Sequence, residues 1–300
     1  MIERVAVFCK NLLDWFKSDR CFVRYFIDAF KYANNNLLLL SLLITVVFVV
    51  SMYVLISTIR GVNPIITMGI VILLMGAVAS GLFYSIKKCI KIKAEEFSHD
   101  IKNVFPTFYA GIGKYYLSFL GMFFMFFVFA TIVIMGTFMI ANTLICDVSE
   151  LGIDPNIFFQ ILSSTDTSAI NTFIASLSLE QQSYFRAWNR MFFFSTHIFT
   201  FLLMLWIPEQ IYTKKNIFVT LFTSVKKVIK DIPNLLCIFL TMSFLNVILT
   251  AFVLIPVHNQ LLLFIFSILS MIIPLYLLLY DFYTLFLYYQ AKYVETDDRG

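Results

Sequence analysis

Six long apolar runs divide the chain, and polar or charged residues bound each of them. A bilayer core is crossed by roughly 20 apolar residues in a helix, because a helix satisfies its backbone hydrogen bonds internally. The pattern predicts an all-α integral membrane protein, a six-helix bundle. The predicted spans are Leu37–Ile59, Pro64–Ile86, Tyr116–Ile145, Met191–Tyr212, Leu235–Val257 and Leu261–Tyr280, and the last is expected to continue as a helix toward Tyr293.

A second pattern precedes the first, third and fifth spans, where apolar residues recur at spacings of three and four within basic stretches. This periodicity is typical of amphipathic helices, and lysines beside an apolar face favour the anionic inner surface of a membrane. The stretches are Cys21–Tyr32, Glu95–Tyr109 and Phe218–Ile232. One interpretation is a threefold repeat of an in-plane helix followed by a two-span hairpin. The other is that polytopic proteins commonly carry basic amphipathic loops.

The distribution of charge orients the spans. Nineteen of the 22 Lys and Arg residues lie in the N-terminal segment, the second and fourth loops and the C-terminal tail, and only Arg60, Arg186 and Arg190 lie elsewhere. Because basic residues concentrate on the cytoplasmic side, this asymmetry predicts an even number of spans with both termini in the cytoplasm. The basic residues expected at the interface are Lys87, Lys88, Lys91, Lys93, Lys226, Lys227 and Lys230.

The spans and charged stretches define five segments. They are a cytoplasmic, interfacial segment (1–36), the first three helices (37–145) with a basic amphipathic loop (87–115), an extracytoplasmic segment (146–187), the last three helices (188–290) with a basic loop (213–233), and a cytoplasmic tail (291–300).

The extracytoplasmic segment carries several signals for helix starts. Asp154–Pro155 places an N-cap before a proline, Asp166 is positioned to cap a helix through Phe173 and Leu177, and Ser178–Gln181 has the form of a capping box. We therefore expect a short helical cap. Its acidic residues either attract cations or form a solvated face.

Few polar residues fall within the spans. His197 lies inside the fourth span, Glu209 near its inner end, and Asp281 at the end of the sixth. Ionisable residues in a membrane mark functional sites by default, so these three are the candidate functional residues, and Glu209 and Asp281 are placed to approach each other as a weak ion or proton site. The alternative is a neutral, packed histidine and two carboxylates at headgroup level. Asn142 and Asn246 are typical of interhelical hydrogen bonds.

Aromatic and small residues also follow a pattern. Trp188 and Trp206, near the ends of the fourth span, and the tyrosines of the sixth suit interfacial aromatic belts. These tyrosines are Tyr280, Tyr283, Tyr288 and Tyr289. The second span carries Gly76 with Ser80 and Ala77 with Gly81, which indicates a helix-packing face.

Composition agrees with a membrane class and argues against several chemistries. Hydrophobic residues make up 60% of the chain and charged residues 13%, against roughly 25% charged in soluble domains, and the mean hydropathy is +0.87. The five scattered cysteines form no disulfide or zinc pattern. No catalytic or phosphate-loop motif is present, and we expect no metal, no cofactor and no nucleic-acid partner.

Two stretches carry a family resemblance. Asn63–Lys88, which opens with Pro-Ile-Ile-Thr-Met-Gly and ends in lysines, resembles the YesL-like family of bacterial membrane proteins. Ser224–Leu235 is similar to the basic helix before the last hairpin of that family and of YciC-like proteins. It is similar, too, to the membrane domain attached to some glycerophosphodiester phosphodiesterases. The chain departs from the YesL-like pattern in its length and larger outer segment. The resemblance implies a bacterial cytoplasmic-membrane protein with at most an accessory role in transport.

The leading hypothesis is a non-enzymatic inner-membrane scaffold, or an accessory to transport or envelope assembly. Its partners would be anionic inner-leaflet lipids and a membrane protein or a second copy of the chain. The first alternative is a small-solute or ion transporter or channel that uses the polar residues of the fourth and sixth spans. The second is a lipid-handling enzyme, for which the sequence offers no clustered acid, base or nucleophile.

Overall fold

The computed structural model describes residues 22–92, 101–145, 167–253 and 260–294, and over these residues the chain is helical without strands. The helices are α1 (Phe22–Asn35), α2 (Leu37–Ile59), α3 (Pro64–Ile92), α4 (Ile101–Leu144), α5 (Thr167–Ser176), α6 (Leu179–Leu203), α7 (Trp206–Thr213), α8 (Ile217–Lys230), α9 (Ile232–Val253) and α10 (Gln260–Tyr289), which continues into a π-helical turn (Gln290–Val294).

Six helical stretches are long and apolar enough to cross a bilayer, as predicted. They are Leu37–Ile59, Pro64–Lys91, Val104–Leu144, Leu179–Thr213, Ile232–Leu249 and Ile268–Val294. Their outer faces leave large apolar side chains uncovered, such as Ile65, which is 80% exposed, and Leu117, which is 79% exposed. Water does not tolerate apolar surface on this scale, so the chain is a multi-pass membrane protein. The predicted extension of the last helix past Tyr289 is also confirmed.

The basic loop expected at 87–115 is helical on both described sides. Helix α3 extends to Ile92, and α4 runs without a break from Ile101 to Leu144. Helix α4 is continuous because one buried stripe at spacings of three and four joins its basic end to the span. That stripe comprises Val104, Phe108, Gly111, Tyr115, Phe119 and Met122. Its predicted amphipathic helix is therefore part of the third span, whereas α1 and α8 are separate helices, so the three predicted repeat units differ.

The fourth span is two helices rather than the single one predicted. Helix α6 ends at Leu203 and α7 begins at Trp206. Pro208 explains the break, because it has no N–H to bond the carbonyl of Met204 and its ring would clash with that carbonyl. A proline is tolerated in the first turn of a new helix, and this is where Pro208 lies.

The chain divides into two compact units, Met1–Phe123 with Leu203–Gly300, and Phe124–Leu202. The boundaries cut through α4 and α6 and therefore do not follow the five predicted segments. In the first unit α10 is central, since it contacts α1, α2, α3, α7 and α9. Its four C-terminal tyrosines are almost fully buried, with ring contacts to α1 such as Tyr32 on Tyr283 at 5.8 Å. They do not form the interfacial belt predicted for them, because neighbouring helices cover them.

Helices α3 and α4 approach closely through small residues. A Cβ placed on Gly111 would lie 2.8 Å from the Ser80 carbonyl oxygen and 2.9 Å from the Gly81 Cα. Across the same contact, Phe108 packs on Gly81 and Leu120 on Gly76. The predicted packing face of the second span is confirmed.

The second unit has its own apolar cluster. Ala141, Phe185 and Trp188 are buried there, with Phe173 and Leu177 packed against them. The predicted capping box is confirmed: the Ser178 backbone N–H donates to Gln181 Oε1 (2.9 Å), and the Gln181 N–H donates to Ser178 Oγ (3.2 Å). Trp188 is 1% exposed and Trp206, in the first unit, 3%, so neither indole lies in an exposed belt. The predicted helix at Asp154–Pro155 and the Asp166 cap lie outside the described residues.

Candidate functional site

Helix α7 turns Glu209 into the interior of the first unit. Glu209 lies in the first turn of α7, and it is 1% exposed. A carboxylate buried to this degree requires a charge partner and hydrogen bonds, because removing it from water costs several kcal/mol. Glu209 finds both on α8 and α10.

Glu209, Lys227 and Tyr289 form a closed triangle of hydrogen bonds, called the Glu209 cluster below. Lys227 Nζ donates to Glu209 Oε2 (2.7 Å) and to the Tyr289 hydroxyl (2.7 Å), which itself donates to Glu209 Oε2 (2.6 Å). The ammonium also lies over the rings of Tyr289 (4.6 Å) and Tyr293 (4.7 Å), where the ring faces attract a cation. The cluster is thus neutral overall and joins three helices.

A second set of hydrogen bonds ties α7 to α8 beside this cluster. The Trp206 indole N–H donates to Thr220 Oγ1 (3.3 Å), and the Thr220 hydroxyl donates to Gln210 Oε1 (2.6 Å). Gln210 Nε2 donates to the Lys215 carbonyl (3.1 Å) in the turn between the helices. Asn216 then caps α8 by accepting from the Phe218 N–H (3.0 Å). These bonds fix the angle at which α8 presents Lys227.

The π-helical turn after α10 completes the same end of the unit. Gln290 Oε1 accepts from the Tyr212 hydroxyl (2.9 Å), and Lys292 pairs with Asp231 at the end of α8. Asp231 also accepts from Asn234 Nδ2 (2.8 Å). Turns of this type are frequent at functional sites, and here the wider turn brings Gln290 and Lys292 to α7 and α8.

The lysines predicted at the interface divide into two groups. Lys91, Lys226 and Lys230 are exposed and Lys87 and Lys88 half-buried, whereas Lys93 lies outside the described residues. Lys227 departs from the prediction, since its side chain is 22% exposed and faces Glu209. Its spacing from Thr220 and Ser224, seven and three residues, places all three on one helix face. This polar face of α8 is the sequence signal that could have placed Lys227 inside the protein.

Four lysines from separate parts of the first unit meet around two tyrosines. Lys88 and Lys114 lie 6.0 and 5.4 Å from the ring centre of Tyr84, and Lys114 lies 5.9 Å from that of Tyr115. The Tyr115 hydroxyl (3.0 Å) and Lys87 Nζ (2.8 Å) donate to the same carbonyl oxygen, that of Ile211.

The fourth lysine, Lys214, follows α7 in the left-handed region with φ +54°. A contact with the Lys114 ammonium lowers the pKa of Lys214 below its usual range. Lys87, Lys88, Lys114 and Lys214 are called the lysine cluster below. Sequence spacing gave no sign of it, because its members are brought together only by the packing of α3, α4 and α7.

The three candidate residues are not joined into one site. Asp281 Oδ2 accepts from Asn246 Nδ2 (2.9 Å), which confirms Asn246 as an interhelical link, and Asp281 Oδ1 is buried without a partner among the described residues. Asp281 precedes Tyr289 by eight residues, about 12 Å along the helix, so Glu209 and Asp281 have separate surroundings. His197 belongs to the second unit, where Nδ1 donates to the Phe193 carbonyl (2.8 Å) and the ring centre lies 3.9 Å from that of Phe193.

Comparison of the chain with protein-family models, curated proteins and solved structures finds no match. Within the described part of the chain, no three His, Cys, Asp or Glu side chains are grouped to hold a metal ion.

Proposed function

We propose that this chain is a bacterial inner-membrane protein that acts, without catalysis, as a scaffold or as an accessory to transport or envelope assembly. The observation that carries the proposal is the Glu209 cluster. Glu209, the most deeply buried carboxylate among the described residues, is neutralised within the protein and joins α7, α8 and α10.

The burial and hydrogen bonding of the polar side chains near Glu209 support a bundle that is closed to water. A conduit for ions or polar solutes requires charged or polar groups that water reaches. Here Thr220 and Ser224, which share a helix face with Lys227, are fully buried, and the Thr220 and Ser224 hydroxyls donate to protein oxygens. Groups that bond to each other stabilise packing and leave nothing for a solute to bind.

The outer surface of α8 supports contact with lipid. Phe218, Phe222 and Ile229 are exposed there beside Lys226 and Lys230. Apolar side chains next to lysines suit the boundary between acyl chains and anionic headgroups. Together with the asymmetry of Lys and Arg along the chain, this surface of α8 favours a cytoplasmic location for the lysine-rich end of the helices and for both termini. The resemblance to YesL-like proteins agrees with an accessory role.

Reconstitution tests the proposal. The purified protein is placed in liposomes loaded with a pH-sensitive dye or with radiolabelled sugars, and the flux of protons, potassium and sugars is measured against empty liposomes. The proposal predicts no flux above the empty control. Saturable flux that disappears in a folded Glu209→Gln variant would show that the protein alone transports, and the scaffold would then be rejected.

A second candidate, a proton- or cation-coupled transporter, is favoured by Asp281. Its Oδ1 atom is buried in the sixth span without a partner in the described part of the chain, and unsatisfied carboxylates in membranes are characteristic of proton and ion pathways. Flux measured in Asp281→Asn distinguishes this transporter from the scaffold. Asn246→Ala is the control, because it removes the hydrogen-bond partner of Asp281 and keeps the carboxylate. Flux in the wild type that is lost only in Asp281→Asn would establish this candidate.

A further inference from the structure

The lysine cluster brings together lysines from three helices without a carboxylate among the described residues. Each carboxylate–lysine or carboxylate–arginine contact recorded there involves Asp28, Glu209 or Asp231. Lys87, Lys88 and Lys114 contact none of these carboxylates, and instead lie around Tyr84, Tyr115 and the Ile211 carbonyl. Lys214, which also contacts none of them, follows Ile211 by three residues at the end of α7. Within the described residues these four like charges have no carboxylate partner and repel one another, and an anion that enters the cluster relieves this repulsion.

Lys214 adds an independent observation. It is the only residue other than glycine with positive φ in the described part of the chain. The left-handed region costs a residue with a Cβ roughly 1 kcal/mol, and helices that end this way usually have glycine there. A lysine at this position accepts the strain, and it ends the helix whose Ile211 carbonyl accepts from Lys87 and Tyr115.

We infer that Lys87, Lys88, Lys114 and Lys214 form a binding site for a phosphate monoester group. Lysine binds phosphate as a point charge without the bidentate geometry of arginine, and several ammonium groups arriving from α3, α4 and the end of α7 suit the two charges of a monoester. The group belongs either to a lipid headgroup or to a water-soluble phosphate. The lipid source rests on the proposed cytoplasmic placement of the lysine-rich end; the site itself does not.

The experiment measures binding in phosphatidylcholine nanodiscs. One arm adds phosphatidic acid, a second adds phosphatidylglycerol, which carries a single charge, and a third adds inorganic phosphate. Retained lipid is measured by native mass spectrometry and inorganic phosphate by titration calorimetry. Lys114→Gln and Lys214→Gln are tested singly and together, and Lys226→Gln with Lys230→Gln is the matched control, since it removes the same charge from exposed lysines of α8.

The site predicts that phosphatidic acid or inorganic phosphate binds the wild type more tightly than phosphatidylglycerol does. Each cluster substitution is expected to weaken binding roughly tenfold, the effect of one charge-assisted hydrogen bond. The control pair, whose exposed lysines contact headgroups without forming a site, should weaken phosphatidic acid binding much less and leave the binding of inorganic phosphate unchanged. Lys214→Gly separates side chain from backbone, because it relieves the left-handed strain and should lose binding in a protein of unchanged or greater stability.

Two results overturn the inference. If the α8 control pair loses as much affinity as the cluster pair, the attraction is a diffuse surface effect and no site exists. Absence of binding in all three arms also rejects it. Binding of phosphatidic acid alone identifies the lipid source, and competition by inorganic phosphate identifies the soluble one. Neither rejection bears on the proposed scaffold, which the flux measurement tests separately.

Discussion

The Glu209 cluster and the lysine cluster are built from the same residue types in the same compact unit, yet they differ in one component. Lys227 meets a buried carboxylate and a tyrosine hydroxyl, whereas Lys87, Lys88, Lys114 and Lys214 meet tyrosines and a backbone carbonyl without a described carboxylate. The presence of an internal anion decides the role of the lysine. A neutralised lysine joins helices, and an uncompensated group of lysines is open to an external anion.

The largest predicted effect comes from breaking the Glu209–Lys227 pair. Lys227→Met leaves the Glu209 carboxylate buried without its counter-charge, and we expect the free energy of unfolding to fall by about 3 kcal/mol. The measurement is denaturant unfolding of the protein in bicelles. Replacing both residues, Glu209→Leu with Lys227→Met, should restore most of the loss because no charge is then stranded. A single variant as stable as the wild type would show that the pair does not hold the helices.

A smaller effect is expected when the triangle loses its third member. Tyr289→Phe removes the hydroxyl that accepts from Lys227 and donates to Glu209, while the direct pair remains. The loss should be about 1.5 kcal/mol, the value of a hydrogen bond to a charged group, in the same unfolding assay. Tyr288→Phe is the matched control on the neighbouring position. Equal losses of stability in Tyr289→Phe and Tyr288→Phe would show that the Tyr289 hydroxyl contributes no more to stability than that of its neighbour.

The pair between Lys292 and Asp231 is expected to contribute less to stability than the buried Glu209–Lys227 pair. The Lys292 side chain is 38% exposed, so solvent screens the attraction, and Asp231 keeps Asn234 as a partner. Lys292→Met should therefore cost only about 0.5 kcal/mol, with a loss that shrinks further in high salt. A cost as large as that of Lys227→Met would show that burial does not govern these pairs.

The smallest effect has the opposite sign and concerns the lysine cluster. Lys214→Gly removes the left-handed strain and one of the repelling charges, and we expect a gain of about 0.5 kcal/mol in the free energy of unfolding. Lys215→Gly, at the next position, is the control and should not stabilise. A loss of stability in Lys214→Gly would mean that the Lys214 side chain holds the fold.

Sequence reasoning predicted what depends on local pattern. Apolar length determines the six spans, the small residues of the second span determine its packing on α4, and Ser178 with Gln181 forms the expected cap. Each of these is set within a few turns of one helix. For the same reason the helical character of Phe218–Ile232 was predictable before any partner was known.

What sequence reasoning missed depends on what surrounds each helix. In a membrane protein the most apolar face can point to lipid, so Phe218 and Phe222 are exposed while Thr220 and Lys227 face inward. The sequence positions of the α10 tyrosines suggest an interfacial belt, but α1 packs on Tyr280, Tyr283 and Tyr288, and α7 and α8 pack on Tyr289. Lysines 87, 114 and 214 converge only through the tertiary fold, and no spacing in the sequence encodes that.

The central claim is that the polar interior around the Glu209 cluster is closed to water, and thiol labelling tests it most directly. In a variant with the five native cysteines replaced, single cysteines at Thr220, Ser224 and Lys214 are exposed to a membrane-impermeant maleimide in nanodiscs. The account predicts that Lys214→Cys reacts, whereas Thr220→Cys and Ser224→Cys react only after unfolding. Labelling of the folded protein at Thr220→Cys or Ser224→Cys as fast as at Lys214→Cys would contradict it and indicate a water-filled pathway.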